Sequence, residues 1–254
     1  MTAPRVAIVT GASRGIGAAI ARQLAADGLS VVAVARSGEA LDALVAQLPT
    51  DSLALACDLR ERDIAPQVVA ATLQRFERID VLVNNAGATP RGDFLGFSDA
   101  DWDDGFALKF FGAMRLCRAA WPHLVESRGC IVNIGGIGGR TGSAEFTIGG
   151  SVNAALLNLT KALADRGVRE GVRVNAVNPG SIATERTQAR IERIAGERGI
   201  DAAQASDELA RQLRVARFGT PEELANVVAF LASDRASYMQ GAIVDVDGGQ
   251  TRTL

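Results

Sequence analysis

A glycine-rich turn near the start of the chain has the residues needed to bind phosphate. An apolar run at 5–10 is followed by the spacing GxxxGxG and then by a helical pattern. Glycines at such a junction permit a tight turn and let the backbone approach a pyrophosphate, whose charge then lies at the helix N-terminus. The turn therefore predicts a nucleotide site. Its predicted contact residues are Gly11, Ser13, Arg14, Gly15, Ile16 and Gly17.

Further turns with polar residues or glycines follow later apolar runs. In a parallel sheet the carboxyl ends of the strands share one edge, and ligands bind in the crevice at that edge. We therefore expect these turns to join the first one in a single nucleotide site. Their predicted contact residues are Asp58, Leu59, Asn85, Ala86, Gly87, Pro179, Gly180, Ile182 and Thr184.

The end of the second apolar run indicates which dinucleotide is bound. NAD-binding proteins place an acidic residue there for the ribose 2′-hydroxyl, whereas an arginine suits a 2′-phosphate. This run ends in Ala35, Arg36 and Ser37, with no acidic side chain. Arg14 in the glycine turn can reach the same phosphate, and two guanidiniums can clamp it. The sequence predicts NADP(H) rather than NAD(H), although both arginines could instead be ordinary surface residues.

Alternating strand-like and helical segments must position these turns. Nearly continuous apolar runs are typical of strands buried on both faces, and β–α alternation predicts a doubly wound parallel sheet of about seven strands. A single α/β domain of 1–254 is compatible with this length. The predicted strands are 5–10, 30–35, 52–57, 79–84, 130–134, 172–178 and 242–246. The predicted helices are 15–27, 38–48, 61–77, 99–127, 150–169 and 221–233.

The polar segment 184–216 interrupts the alternation and contains several arginines. An excursion of this length in a compact domain is usually functional or disordered. Because it follows the carboxyl end of a strand, we interpret it as a helical lid over the substrate rather than a solvated helical pair.

Composition excludes several classes of function. A net charge of −2 gives no basic field for nucleic acid or anionic lipid. Cys57, Cys117 and Cys130 show neither a metal-ligand nor a disulfide pattern, so we expect small buried side chains and no metal site. No apolar run is long enough to span a membrane, and the N-terminus has no signal-peptide pattern. These features predict a cytoplasmic protein.

Together these turns resemble those of the short-chain dehydrogenase/reductase family, over nearly the whole chain. The resemblance implies a Rossmann fold with Asp58 near the adenine, Asn85 beside the ribose, and Pro179 and Gly180 lining the nicotinamide. It also implies a homodimer or homotetramer formed through the fifth and sixth helices, with the final strand forming a second contact.

The resemblance implies four catalytic residues: a serine, a tyrosine and lysine four apart, and an asparagine. In this chain the serine position is Gly136, the tyrosine position is Gly149 and the lysine position is Asn153, while Lys109 stands at the asparagine position. Asn153 can still hydrogen-bond a ribose hydroxyl. Since a positioned acid contributes about 10²–10⁴-fold in rate, these substitutions predict an atypical site.

Lysine stands at the expected asparagine position, 109, and asparagine stands at the expected lysine position, 153. We hypothesise that the ammonium has moved between helices and that Lys109 is catalytic. The alternative is a lysine paired with Asp103 or Asp104, or one that reaches solvent. Thr147 and Ser151 flank Gly149 and could supply a hydroxyl, whereas we expect His123 to be structural and Tyr238, near the last strand, to be a packing residue.

Three functions remain open on the sequence. The first is an atypical NADP-dependent oxidoreductase acting on an unidentified carbonyl or alcohol. The second is an NADP-binding protein without turnover, such as a sensor or partner subunit. The third is a non-redox enzyme on the same fold, which the retained cofactor motifs disfavour. The arginine-bearing lid is compatible with an anionic or acyl-carrier-type substrate.

Overall fold

Seven parallel strands form one sheet in the computed structural model, which describes residues 4–252. Their order is β3-β2-β1-β4-β5-β6-β7. Strands β2 and β3 are added on one side of β1 and the later strands on the other, so the order of the strands reverses between β1 and β4. The predicted doubly wound parallel sheet is confirmed. This topology opens a crevice beyond the carboxyl ends of β1 and β4, where such sheets bind ligands.

The strands and helices match the predicted order, with small shifts at their ends. The strands β1 to β7 are Val6–Thr10, Ser30–Ala35, Leu53–Ala56, Val81–Asn84, Cys130–Ile134, Arg173–Pro179 and Ile243–Val246. The helices α1 to α9 are Gly15–Ala26, Gly38–Val45, Ile64–Phe76, Asp99–Phe106, Ala113–Ser127, Thr147–Glu170, Glu185–Arg198, Ala202–Gln212 and Pro221–Ala232.

Apolar side chains on both faces of the sheet hold it between two helical layers. Every residue of β1, β4 and β5 is buried, as continuous apolar strands require. One face packs against α1, α2 and α9, and the other packs against α3, α5 and part of α6. Capping boxes at Ser98 and Thr220 begin α4 and α9, and each cap stabilises its helix by about 1 kcal/mol.

The helix predicted at 99–127 contains an irregular turn at the site. α4 and α5 are joined without a break by a π-helical segment, Ala107–Gly112. Such wide turns often lie at functional sites, because they redirect the side chains that follow. Lys109 lies in this segment.

The segment predicted as a lid forms the helical pair α7 and α8. Ile191, Ala195, Ala205 and Leu209 make a small apolar core between them. A bridge from Ile182 to Gly219 closes the segment at its base, next to the end of β6. Its movement over a substrate remains a prediction.

Several smaller expectations can be compared with the structure. Cys117 and Cys130 are buried as expected, whereas Cys57 is only half-buried. The expectation that Tyr238 is a packing residue was wrong, because Tyr238 is fully exposed. His123 Nδ1 lies 3.6 Å from Glu126 Oε2, one turn further along α5. No helix within residues 4–252 is long and apolar enough to cross a membrane.

Candidate active site

The glycine turn leaves a cradle at the crevice because side chains would not fit there. Gly11 has a φ of +66°, in the region that favours glycine. A Cβ on Gly17 would lie 2.1 Å from the carbonyl oxygen of Gly11. The turn therefore exposes backbone at the start of α1, where an anion is stabilised by the helix dipole. This arrangement fits a dinucleotide pyrophosphate.

Thr10 and Asn85 tie the glycine turn to the turn after β4. Thr10 Oγ1 accepts hydrogen bonds from the amides of Asn85 and Ala86, at 2.9 Å and 3.0 Å. Asn85 Nδ2 donates back to the Thr10 carbonyl oxygen at 2.9 Å. Asn85 was predicted as a cofactor contact, but its amide also holds the two turns together. Sequence reasoning missed Thr10, which reads as an ordinary strand residue.

The two arginines predicted for a 2′-phosphate lie in exposed positions on the crevice side. Arg36 follows β2 and is exposed, as is Ser37. Arg14 Nη1 lies 3.2 Å from Glu185 Oε2, and both side chains are more than two-thirds exposed. Exposed pairs of this kind contribute little, so the pair does not prevent Arg14 from binding an anion.

Asp58 is already engaged by a neighbouring guanidinium. Its Oδ1 accepts from the Arg60 amide at 3.0 Å, and Arg60 Nη1 lies 3.2 Å from Oδ2. Leu59, next in the chain, is buried in the core. Asp58 is therefore held in place by Arg60, in the loop where the resemblance puts the adenine.

The turn after β6 abuts the glycine turn from the other side of the crevice. The Gly180 amide donates to the Val246 carbonyl oxygen at 3.0 Å, which fixes the turn to β7. Ile182 is buried, and Thr184 caps α7 by accepting from the Thr187 amide. The Thr184 methyl would lie 3.6 Å from a Cβ on Gly15. The predicted cofactor residues of these two turns are thus brought together.

The turn after β5 carries Gly136, at the position where the resemblance implies serine. The Gly136 amide donates to Asn178 Oδ1 at 2.9 Å. A Cβ on Gly136 would lie only 2.8 Å from Asn153 Nδ2, so the Asn153 amide occupies space next to the missing side chain. Asn153 is buried, and its Oδ1 has no hydrogen-bond partner within the described residues. An unpartnered buried carbonyl favours a bound hydroxyl or amine donor.

Lys109 points into the same turn. Its Nζ donates to the Gly135 carbonyl oxygen at 2.7 Å, and its Cδ would lie 2.8 Å from a Cβ on Gly87. The ammonium is thus bonded one residue away from Gly136, beside the turn after β4. Burial, together with the nearby charge of Arg186, lowers the pKa of Lys109 to about 8.

The alternative partners for Lys109 were wrong. Asp104 instead pairs with Arg60, whose Nε lies 2.6 Å from Asp104 Oδ1. Asp103 is exposed on α4 and makes no ion pair within residues 4–252. The backbone bond to Gly135 also holds the ammonium inside the site rather than in solvent.

Phe146 fills the place beside Gly149, where the resemblance implies tyrosine. A Cβ on Gly149 would lie 2.1 Å from the nearest Phe146 ring atom. The Arg91 guanidinium stacks on this ring, 4.3 Å from its centroid. The space that a side chain at Gly149 would need is therefore filled by the Phe146 ring, on which the Arg91 guanidinium stacks.

We expect Gly149→Ala to lower the free energy of unfolding by about 1–3 kcal/mol, because the added methyl overlaps the Phe146 ring. Urea unfolding measures the change. Gly196→Ala is the matched control, since Gly196 is also helical and its Cβ would meet nothing within 4 Å. In a Phe146→Ala background the Gly149→Ala change should be neutral or stabilising. Equal destabilisation in both backgrounds would contradict the steric explanation.

The two hydroxyls that could substitute for the tyrosine, on Thr147 and Ser151, differ in their surroundings. Thr147 Oγ1 is buried and has no hydrogen-bond partner in the described part of the chain. Ser151, on the next turn of α6, is exposed. Of the two, only Thr147 has the buried, unsatisfied donor that a bound ligand would use.

A chain of buried amides behind the site was not predicted. Asn84 Nδ2 donates to Asn133 Oδ1 at 2.8 Å, and Asn133 Nδ2 donates to Thr160 Oγ1 at 2.9 Å. These bonds join β4, β5 and α6 close to the turns that carry Gly87 and Gly136 and to Asn153 on α6. Asn84 and Asn133 interrupt otherwise apolar strands, and that is the signal that could have identified them.

Comparison with known proteins decides the family. The sequence profile described as enoyl-(acyl carrier protein) reductase matches residues 11–251. A meso-2,3-butanediol dehydrogenase of Serratia marcescens is 35% identical over 251 residues, covering 97% of this chain and 94% of its own. The chain belongs to the short-chain dehydrogenase/reductase family. This is a family of NAD(P)-dependent oxidoreductases, so the resemblance drawn from the turns is confirmed.

Other relatives of this short-chain dehydrogenase/reductase cover almost its whole length. The 3-oxoacyl-(acyl-carrier-protein) reductase FabG of Staphylococcus aureus is 34% identical, covering 98% of this chain and 99% of its own. L-Sorbose reductase of Gluconobacter frateurii, solved with NADPH and L-sorbose, has a TM-score of 0.94 at 32% identity, covering 99% and 98% of the two chains.

One similar structure is described as having an atypical catalytic centre. It is a short-chain oxidoreductase from Pseudomonas aeruginosa in its apo form, with a TM-score of 0.92 and 31% identity. The match covers 98% of each chain. The fold of the present protein is thus shared with structures solved with NADPH and with one whose centre is called atypical.

Proposed function

We propose that this protein is an atypical NADP(H)-dependent oxidoreductase that interconverts a carbonyl and an alcohol, with the Lys109 ammonium as proton donor. The observation that carries the proposal is the 2.7 Å hydrogen bond from Lys109 Nζ to Gly135. It holds an acid beside Gly136 and Asn153, where the family resemblance implies the proton-transfer residues.

The cofactor cradle supports NADP(H). The glycine turn would hold the pyrophosphate, and Arg36 with Arg14 would hold the 2′-phosphate, since guanidiniums bind phosphate bidentately. The buried Oδ1 of Asn153 is free to accept a hydrogen bond from a ribose hydroxyl. The NADPH complex of L-sorbose reductase supports NADP(H) as the cofactor. When bound, this cofactor supplies or accepts the hydride.

Lys109 can carry out the proton transfer that the family resemblance assigns to a tyrosine. An ammonium has three donor hydrogens, and the Gly135 carbonyl uses one of them. The others are free to donate to a substrate oxygen as the carbonyl is reduced. A pKa of about 8 is close to a neutral working pH, where an acid transfers its proton most effectively. In the reverse direction the neutral amine accepts the proton.

A second function, NADP(H) binding without turnover, is favoured by one observation. The Phe146 ring lies where a tyrosine side chain would extend from Gly149, within van der Waals overlap of a Cβ there. A site filled in this way could keep the cofactor cradle and lose reactivity. Measurement of binding and turnover on the same preparation distinguishes the two functions.

We expect NADPH to bind the full-length protein at least tenfold more tightly than NADH, because each charged hydrogen bond to the 2′-phosphate is worth about 1.5–3 kcal/mol. Fluorescence titration measures both dissociation constants. Absorbance at the reduced nicotinamide band then follows turnover with a panel of ketones and aldehydes. Tight binding with no turnover across the panel would favour the second function, and absence of binding to either cofactor would overturn both.

A further inference from the structure

Three guanidiniums and the Lys109 ammonium converge beside the proposed reaction site. Arg91 lies on the loop after β4 and stacks on Phe146 at 4.3 Å. Arg186 Nη2 donates to the Gly87 carbonyl oxygen at 3.4 Å, and Lys109 packs against the same Gly87. Arg190 is one helical turn after Arg186, so both lie on one face of α7.

The same charges are close enough to influence one another. Desolvation first, and then the charges of Arg190 and Arg186, lower the pKa of Arg91. The charge of Arg186 contributes to the lowered pKa of Lys109. Within residues 4–252, neither Arg91, Arg186 nor Arg190 forms an ion pair with a carboxylate. Like charges held together with too little counter-charge are unfavourable, and a bound anion would relieve the repulsion.

Glu145 is the carboxylate that acts on this cluster. Its charge raises the pKa of Arg91, but Glu145 is exposed, and burial of Arg91 and the charge of Arg190 each have a larger, opposite effect. Its carbonyl oxygen accepts from the Gly92 amide at 3.1 Å, which joins the Arg91 loop to the loop that carries Phe146. Glu185 instead pairs with Arg14. One carboxylate against four cations leaves the cluster strongly positive.

We propose that Arg91, Arg186 and Arg190 form a recognition site for an oxyanion group of the substrate, so that the substrate is a carbonyl or alcohol compound carrying a carboxylate or phosphate. This inference rests on the proposed function, because it places the anion next to Lys109. The guanidinium plane suits both oxyanions, since it donates two parallel hydrogen bonds. The stack on Phe146 holds the Arg91 plane in place.

The experiment uses the full-length protein saturated with NADPH, so that the cofactor phosphates already occupy their own arginines. Malonate, inorganic phosphate and neutral malonamide are titrated separately, and binding is followed by calorimetry. We expect malonate or phosphate to bind and malonamide not to bind. The preferred anion identifies a carboxylate or a phosphate group on the substrate.

Variants then locate the anion site. Arg91→Gln and the double change Arg186→Gln with Arg190→Gln should each weaken anion binding by about tenfold or more. Glu145→Gln should tighten it. Arg193→Gln is the matched control, because Arg193 lies on α7 but pairs with Glu197 at 2.7 Å, and it should leave anion affinity unchanged.

Each failure has a distinct meaning. If NADPH binds and neither anion binds its complex, the oxyanion site is wrong and the proposed function is unaffected. An equal loss of anion affinity in Arg193→Gln would also overturn the site, since the effect would then be one of general charge. If Arg91→Gln weakens NADPH as much as malonate, Arg91 belongs to the cofactor site instead. If NADPH itself does not bind, the proposed function and this inference both fail.

Discussion

We expect the replacement of Lys109 by methionine to lower the rate of carbonyl reduction by about 10²–10⁴-fold, the usual contribution of a positioned acid. Methionine fills similar space but has no proton to give. The glycine turn, Arg14 and Arg36 are untouched, so NADPH affinity should stay within a few-fold of the unaltered protein. Steady-state kinetics with any substrate found in the carbonyl panel, together with NADPH fluorescence, measures both quantities.

The chain offers a matched control, because its only other lysine is Lys161. Lys161 is exposed on α6, so Lys161→Met should leave the rate unchanged. A rate for Lys109→Met that equals the rate of this control would remove Lys109 from the mechanism. The second function would remain if neither protein turned over any carbonyl.

The dependence of rate on pH gives an independent test of Lys109. Its pKa is lowered to about 8, so the ammonium fraction falls as pH rises through that value. Reduction needs the ammonium and should therefore slow above pH 8, whereas alcohol oxidation needs the neutral amine and should speed up. Lys109→Arg keeps the positive charge but stays protonated, so it should remove the alkaline fall in reduction. A fall that persists in this variant would belong to another group.

We expect the change of Arg36 to aspartate to weaken NADPH binding by about 100-fold and to leave NADH binding nearly unchanged or improved. The substitution removes a charged hydrogen bond worth about 1.5–3 kcal/mol and adds repulsion toward the 2′-phosphate. Aspartate at the end of β2 can also accept from the 2′-hydroxyl of NADH. The ratio of the two dissociation constants, measured by fluorescence, reports the change.

Arg169→Asp controls for the change in net charge. Arg169 is exposed in the last turn of α6, at the opposite edge of the sheet from the glycine turn. It should not alter the preference between the two cofactors. If Arg36→Asp behaves like this control, the 2′-phosphate is held elsewhere and the predicted clamp is wrong.

The sequence alone determined the fold of this protein and the edge of the sheet at which the cofactor is expected. Short apolar runs that alternate with helical segments are typical of the strands of a parallel sheet covered on both faces. The glycines of the first turn permit a backbone path that other residues resist. These are local constraints, readable from residues such as Gly11 and Gly17. Family membership followed from the same turns, because each lies at the end of a strand.

The chemical half of the site was decided by tertiary structure. The sequence could place Lys109, Gly149 and Asn153 at family positions, but not say what each side chain meets. The bond from Lys109 to Gly135 joins the π-helical turn between α4 and α5 to the turn after β5, so it depends on how these two separate segments pack. The Phe146 ring beside Gly149, with Arg91 stacked on it, joins separate loops. Such contacts depend on long-range packing, which no spacing along the chain encodes.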